Sequence, residues 1–113
     1  MKLSDSQLVR ELCEFIGPTL VALTSGTTDR SDVTAWITGT KKLKLLERNR
    51  LETAHRLLND IAEQDSNDMA RVWFIGANCG PETGSPCEAL RDDRLDDAMA
   101  SANRWLSPEE MGG

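Results

Sequence analysis

The chain has 113 residues, 39% hydrophobic and 28% charged, with a net charge of −6. A chain this long buries roughly two-thirds of its unfolded surface, enough for one domain's core without covalent staples. No apolar run approaches the ~18 residues a membrane span needs, and no signal peptide opens the chain. Cys13, Cys79 and Cys87 are odd in number, with no C-x-x-C pair and a single histidine beside them, which argues against a disulfide framework or zinc site and for a reducing cytoplasm.

Almost every segment predicts helix. Ser4 and Gln7 form an S-x-x-Q capping box, and Leu8, Val9, Leu12, Phe15 and Ile16 then follow a helical period. Gly17-Pro18 stops that helix and starts a second over residues 18–25, which Gly26 ends. A polar turn, residues 27–30, leads to Ser31 or Asp32 as the cap of a brief third helix with Val33, Trp36 and Ile37 on one face and Gly39 as its stop. The longest helix is expected over residues 43–64, with Leu51, Ala54, Leu57, Leu58 and Ile61 as its buried stripe.

Residues 65–68 break the long helix and cap a short one bearing Met69, Val72 and Trp73, which runs into a loop holding Gly76, Gly80, Pro81 and Gly84. There Ser85 caps, Pro86 sits where a missing N–H costs nothing, and Glu88 completes a second capping box. Two final helices are expected near residues 86–92 and 96–106. No hairpin dipeptide separates alternating apolar runs, so the fold class is all-α, a compact helical domain.

Residues 18–39 have helix-turn-helix proportions: Ala22 is small, Gly26 lies in the turn, and Val33 and Trp36 are apolar anchors three apart. The turn is one residue longer than usual. Arg30, Ser31, Thr34 and Thr38 are the positions expected to face a DNA major groove, with Lys41, Lys42 and Lys44 on phosphates. Residues 29–56 carry seven basic against four acidic side chains, while residues 57–113 carry four arginines against twelve carboxylates. A basic patch facing DNA and an acidic half facing a protein account for that split, and two ordinary solvated faces account for it as well.

Chemistry-bearing patterns are few. The glycine loop lacks Gly-Lys-Ser/Thr, so it is not a phosphate-binding P-loop. His55 has no nucleophile at telling spacing, and Asp92-Asp93 and Asp96-Asp97 flank a helix start, where negative charge offsets the macrodipole. The chain is expected to be no enzyme and to need no cofactor or metal. Trp73 and Trp105 are expected to be core, joining the last two helices to the long one.

The order Trp-Phe-x-Gly-x-Asn, then Gly-Ser-Pro-x-x-Ala-Leu-Arg-Asp, across residues 73–92 resembles the toxin-binding region of Xre/MbcA/ParS-type antitoxins, the partners of RES-domain toxins. A looser match covers residues 29–39, where Trp36 is followed after two residues by Gly39. The resemblance implies an N-terminal region (residues 1–64) that binds the operon's own promoter and a C-terminal region (residues 65–113) that holds an NAD-degrading RES-type toxin. It maps Trp73, Asn78, Pro86, Leu90, Arg91 and Asp92 onto the toxin-binding pattern, and residues 96–113 onto the end that reaches the toxin's cleft. Asn78, Arg91, Asp92, Asp96, Asn103 and Arg104 are the toxin-binding residues this implies. A cytoplasmic antitoxin follows, homodimeric or in a toxin–antitoxin hetero-oligomer, with operator DNA and the toxin as partners and no membrane. The alternatives are a stand-alone helix-turn-helix regulator, host or phage encoded, and a structural adaptor with no DNA role.

Overall fold

The computed structural model describes residues 2–80 and 82–107, and among these the chain is all-α, with seven helices and no strand. The order is α1 (Asp5–Ile16), α2 (Pro18–Ser25), α3 (Ser31–Thr38), α4 (Leu45–Gln64), α5 (Asn67–Ile75), α6 (Pro86–Arg91) and α7 (Leu95–Leu106). Both expected capping boxes are present: the Ser4 hydroxyl accepts from Gln7 N–H, and the Ser85 hydroxyl from Glu88 N–H, each with the return bond. Ser66 caps α5 in the same way by accepting from Met69 N–H.

The third helix starts differently from the expectation. Ser31 lies inside α3 and neither it nor Asp32 caps it. Asp29 does that work instead, its Oδ1 accepting from the Ser31 backbone N–H at 2.9 Å and from the Ser31 hydroxyl at 2.7 Å. A carboxylate two residues upstream reaches an orphan N–H that a serine within the helix cannot. The long helix begins at Leu45, two residues late, because Lys44 is still extended; its N–H donates to Glu47 Oε1.

All seven helices feed one buried cluster around α4, whose stripe Leu51, Ala54, Leu57, Leu58 and Ile61 is fully enclosed. Val33 and Trp36 bury one face of α3, and Ser6 Oγ donates to Ile37 O at 2.6 Å, fastening α3 to α1. On α5 the inward side is Ala70, Trp73 and Phe74, leaving Met69, Val72 and Ile75 outside. Trp73 is wholly buried as expected. Trp105 is only half-buried: it caps the edge of the core, with Nε1 donating to Asp65 Oδ2 at 2.9 Å. Its position in the last turn of α7 leaves one side of the indole open.

The α1–α2–α3 unit is tied to the rest by two arginines of α4. Arg48 binds Asp5 and Glu52 and donates to the Leu3 carbonyl, while Arg50 binds Asp93 and donates to Ser25 O at 2.6 Å. The second contact explains Gly26, which ends α2 with φ 89°: a Cβ there would stand 2.5 Å from Arg50 Nη1.

Candidate nucleic-acid interface and partner face

On α3, Ser31, Thr34 and Thr38 recur at i, i+3 and i+7, so they share a side, and all three are exposed opposite buried Val33 and Trp36. Arg30 precedes them on the same surface, and Lys41, Lys42 and Lys44 follow in the exposed connection to α4. The seven expected DNA-facing residues thus lie along one helix and its exit loop.

Their availability is uneven. The Ser31 hydroxyl is spent on Asp29, and the Thr38 hydroxyl leans on Ala35 O and the Thr40 hydroxyl. Lys41 pairs with Asp32 at 2.8 Å, while Thr27 Oγ1 holds the other oxygen of that carboxylate at 2.6 Å. The hydrogen bond with Lys41 and that from Thr27 pull the Asp32 carboxyl below its ordinary value and, reciprocally, the Asp32 bond raises the Lys41 ammonium. Asp29 is likewise lowered by its two bonds from Ser31. Among the described residues Arg30, Lys42 and Lys44 make no ion pair. The surplus of seven bases over four acids is therefore smaller at the surface than in sequence, because Arg48 and Arg50 are structural and Lys41 is paired. No local pattern announces those pairings, two of which span more than forty residues.

At the other end, the expected toxin-binding residues divide into two kinds. Asn78 is internal. Its Nδ2 donates to Trp73 O at 2.8 Å, and its backbone carbonyl accepts from Ser101 Oγ at 2.8 Å and from Arg104 Nη2 at 3.2 Å. Ser101 in turn accepts from Trp73 Nε1 at 3.0 Å, so a relay of indole, hydroxyl and backbone carbonyl pins the glycine loop to α7. Asn78 and Arg104 are the expected residues brought together from far apart in the sequence. Asp92, Asp96, Asn103 and Arg104 are exposed, and Arg91 is half-exposed beside Asp92, at 3.1 Å. Asp96 and Asn103 are seven residues apart on one side of α7, about 10 Å along its axis. Ser101 carries no sequence signal, since a lone serine on a helix predicts nothing about its partner. Residues 108–113, expected to continue into the toxin, lie outside the described residues.

Burial pushes the thiols of Cys13, Cys79 and Cys87 up, which disfavours the thiolate at neutral pH. His55 Nε2 lies 2.8 Å from Glu11 Oε1, joining α4 to α1. No cluster of three metal-ligating side chains occurs among the described residues, and no helix there is long and apolar enough to cross a membrane. No protein-family model, curated protein or solved structure matches the chain.

Proposed function

We propose that the chain is the antitoxin of a type II toxin–antitoxin pair, covering the NAD-entry cleft of a RES-type toxin with its C-terminal half and repressing its own operon through α3. The observation that carries the reading is the two-ended distribution of exposed polar side chains. The row Ser31–Thr34–Thr38, with Arg30, Lys42 and Lys44 about it, stands on the first three helices. The row Asp96–Asn103, with Arg104, stands on the last. Each row backs onto buried apolar residues of its own helix, so each is held rigidly. Inhibition in this reading is steric and asks no chemistry of the chain. The DNA end supplies positive charge for phosphates, and the acidic end suits a toxin with a basic rim, where complementary charge raises association rate more than final affinity.

The test is co-expression with a RES-type toxin, reading cell growth and total NAD. Both are preserved when the chain is present and collapse when it is absent. If NAD falls regardless and the two proteins do not co-purify, the antitoxin reading fails. Salt-sensitive binding to the upstream DNA in that case leaves the stand-alone regulator.

A further inference from the structure

Leu45 is the most exposed large apolar side chain among the described residues, at 75%, and its neighbour Leu46 is 55% exposed. Single leucines scattered over a surface are ordinary. An adjacent pair on the first turn of a helix, directly after Lys41, Lys42 and Lys44, is not. The corner that carries the pair is built rigidly. Leu43 packs against the core, and its N–H donates to Asp5 Oδ2 at 2.9 Å. Lys44 is extended, its N–H donating to Glu47 Oε1 at 2.8 Å, and Arg48 then holds both Asp5 and Glu52. These bonds fix the first turn of α4 with both leucines in water.

The same corner lies beside α3. Lys41 N–H donates to Ala35 O at 3.2 Å and its ammonium pairs with Asp32, so the exit loop folds back along α3. The Asp32 carboxyl is held low first by its bonds from Lys41 and Thr27 and in addition by the Lys44 charge, which places Lys44 near it. On the next turn of α4, Arg50 Nη1 donates to Ser25 O, just before the turn into α3.

We propose that Leu45 and Leu46 form a wedge that enters the minor groove of the DNA bound by α3 and kinks it. The proposal rests on the reading of α3 as the DNA-facing helix and names the part played by the neighbouring corner. A minor groove about 6 Å wide is too narrow for a helix, but it admits apolar side chains that part a base step while cations hold the flanking phosphates. The charges supply that surround. Over residues 41–56 the fully exposed charges are all positive, Lys41, Lys42, Lys44 and Arg56, while Glu47 and Glu52 are half-buried. Among the described residues Lys42, Lys44 and Arg56 make no ion pair. The carboxylates of the corner are engaged within the chain: Asp5 and Glu52 by Arg48, Asp32 by Lys41, and Glu47 by the Lys44 N–H. In a chain of net charge −6, such a local patch suits a polyanion. A lipid surface is a poorer occupant, since two leucines hold fewer carbons than one myristoyl chain, which by itself binds membranes only marginally. A protein interface takes about 800 Å² from each side, far beyond two side chains. Parting a base step costs least at TA or CA/TG steps, so the wedge adds sequence preference outside the α3 contacts.

The experiment is energy transfer between dyes at the two ends of a duplex of the chain's own upstream DNA, read beside anisotropy over a salt series with the full chain. The wild type shortens the end-to-end distance on binding. Leu45→Ala/Leu46→Ala binds with an unchanged salt slope, because no phosphate contact is lost, but leaves the duplex straight. Leu45→Met/Leu46→Met, still an apolar wedge, restores the bend. Circular dichroism accompanies each variant, and Leu45→Gln alone decides the matter if the double alanine variant does not fold. A duplex that the wild type binds straight, or that the folded alanine variant bends equally, overturns the wedge while the DNA reading stands. A wild type with no salt-sensitive binding to that duplex overturns both. If binding to phosphatidylserine vesicles depends on the leucines and DNA bending does not, the corner is a membrane contact and the wedge is wrong.

Discussion

Arg50 on α4 grips Asp93, 43 residues further on, with Nε and Nη2 each 2.9 Å from a carboxylate oxygen. The same guanidinium reaches back to Ser25 O at the end of α2, so one side chain joins the α3-bearing unit to the α6–α7 turn. Asp93 is the one non-glycine with positive φ among the described residues, at 61°. Aspartate and asparagine enter that region far more readily than other side chains with a Cβ. Asp93→Asn keeps the backbone preference and loses the charge, whereas Asp93→Ala loses both. Urea midpoints are therefore expected to fall in the order wild type, Asp93→Asn, Asp93→Ala. An alanine variant as stable as the asparagine variant removes the backbone part of this account.

Acid sensitivity follows from the same pair. The Arg50 bond holds Asp93 below its ordinary value. At Asp5 burial raises the carboxyl, but the Leu43 N–H and Arg48 outweigh it and leave it lowered. A depressed folded value means the unfolded chain takes up protons first. The stabilisation is then complete above the ordinary carboxylate range and is lost as pH falls through the folded values, that is, from about pH 4 downward. Denaturation midpoints measured from pH 7 to 3 should be flat and then drop. Arg50→Met should have a lower plateau and a shallower acid limb, since Asp93 loses the partner that lowers it; an unchanged limb assigns the acid sensitivity to the other lowered carboxyls, among them Asp5, Asp29 and Asp32.

The two tryptophans separate by burial. Trp73→Ala empties the centre of the core and strands Ser101 of its donor, with an expected cost of about 3–5 kcal/mol. Trp105→Ala removes a half-buried ring and one bond to Asp65, so less than half of that loss is expected. Equal losses in chemical denaturation would mean that the ring at the edge of the core is as tightly packed as the one at its centre.

Local signals account for most of what was legible in the chain. The S-x-x-Q and S-x-x-E boxes, the Gly17-Pro18 junction and the stripe Leu51 to Ile61 depend on neighbours within a few residues, and each is found where periodicity and capping chemistry put it. What was not legible depends on partners far along the chain. Arg48 and Arg50 count as basic patch in sequence, yet they are consumed by Asp5 and Asp93. Asn78 matches a binding pattern, yet its amide holds the Trp73 carbonyl. Trp105 has the composition of a core residue, but as the penultimate residue of the last helix it lacks neighbours on one side. Periodicity tells which face of a helix is apolar and says nothing about how much protein stands beyond it.

For DNA, the expected contribution now differs among the seven candidates. Arg30, Lys42 and Lys44 are unpaired among the described residues, while Lys41 must first leave Asp32. Replacing Lys42 and Lys44 by alanine should weaken binding on every sequence and flatten the salt dependence by about 0.9 slope units for each phosphate left unneutralised. Lys41→Ala should change it less. Thr34, whose hydroxyl makes no protein bond among the described residues, is better placed than Ser31 to alter sequence preference. Fluorescence anisotropy on the chain's own upstream DNA across a salt series measures all of these, and binding indifferent to Lys42 and Lys44 removes the patch from the interface.

The proposed toxin-binding end calls for a separation of folding from binding. Deleting residues 103–113 is expected to leave α1 to α3 folded and to release toxin activity on co-expression. The deletion also takes Trp105 from Asp65 and the Leu106 carbonyl from Gln64 Nε2, so a loss of neutralisation by itself does not locate the interface. Asp96→Lys and Asn103→Lys avoid that difficulty, because both positions are exposed on one side of α7 and neither side chain bonds the core. If this side meets a basic rim, Asp96→Lys reverses the charge complementarity and slows association by an order of magnitude or more at low salt, with the effect shrinking as salt rises. Circular dichroism should stay at wild-type values in both variants, and the urea midpoint should be unchanged for Asn103→Lys and fall slightly for Asp96→Lys, which puts a cation in the first turn of α7 at a cost of about 1 kcal/mol. A folded double variant that still preserves cellular NAD excludes α7 as the blocking element and moves the interface to the loop over residues 76–86.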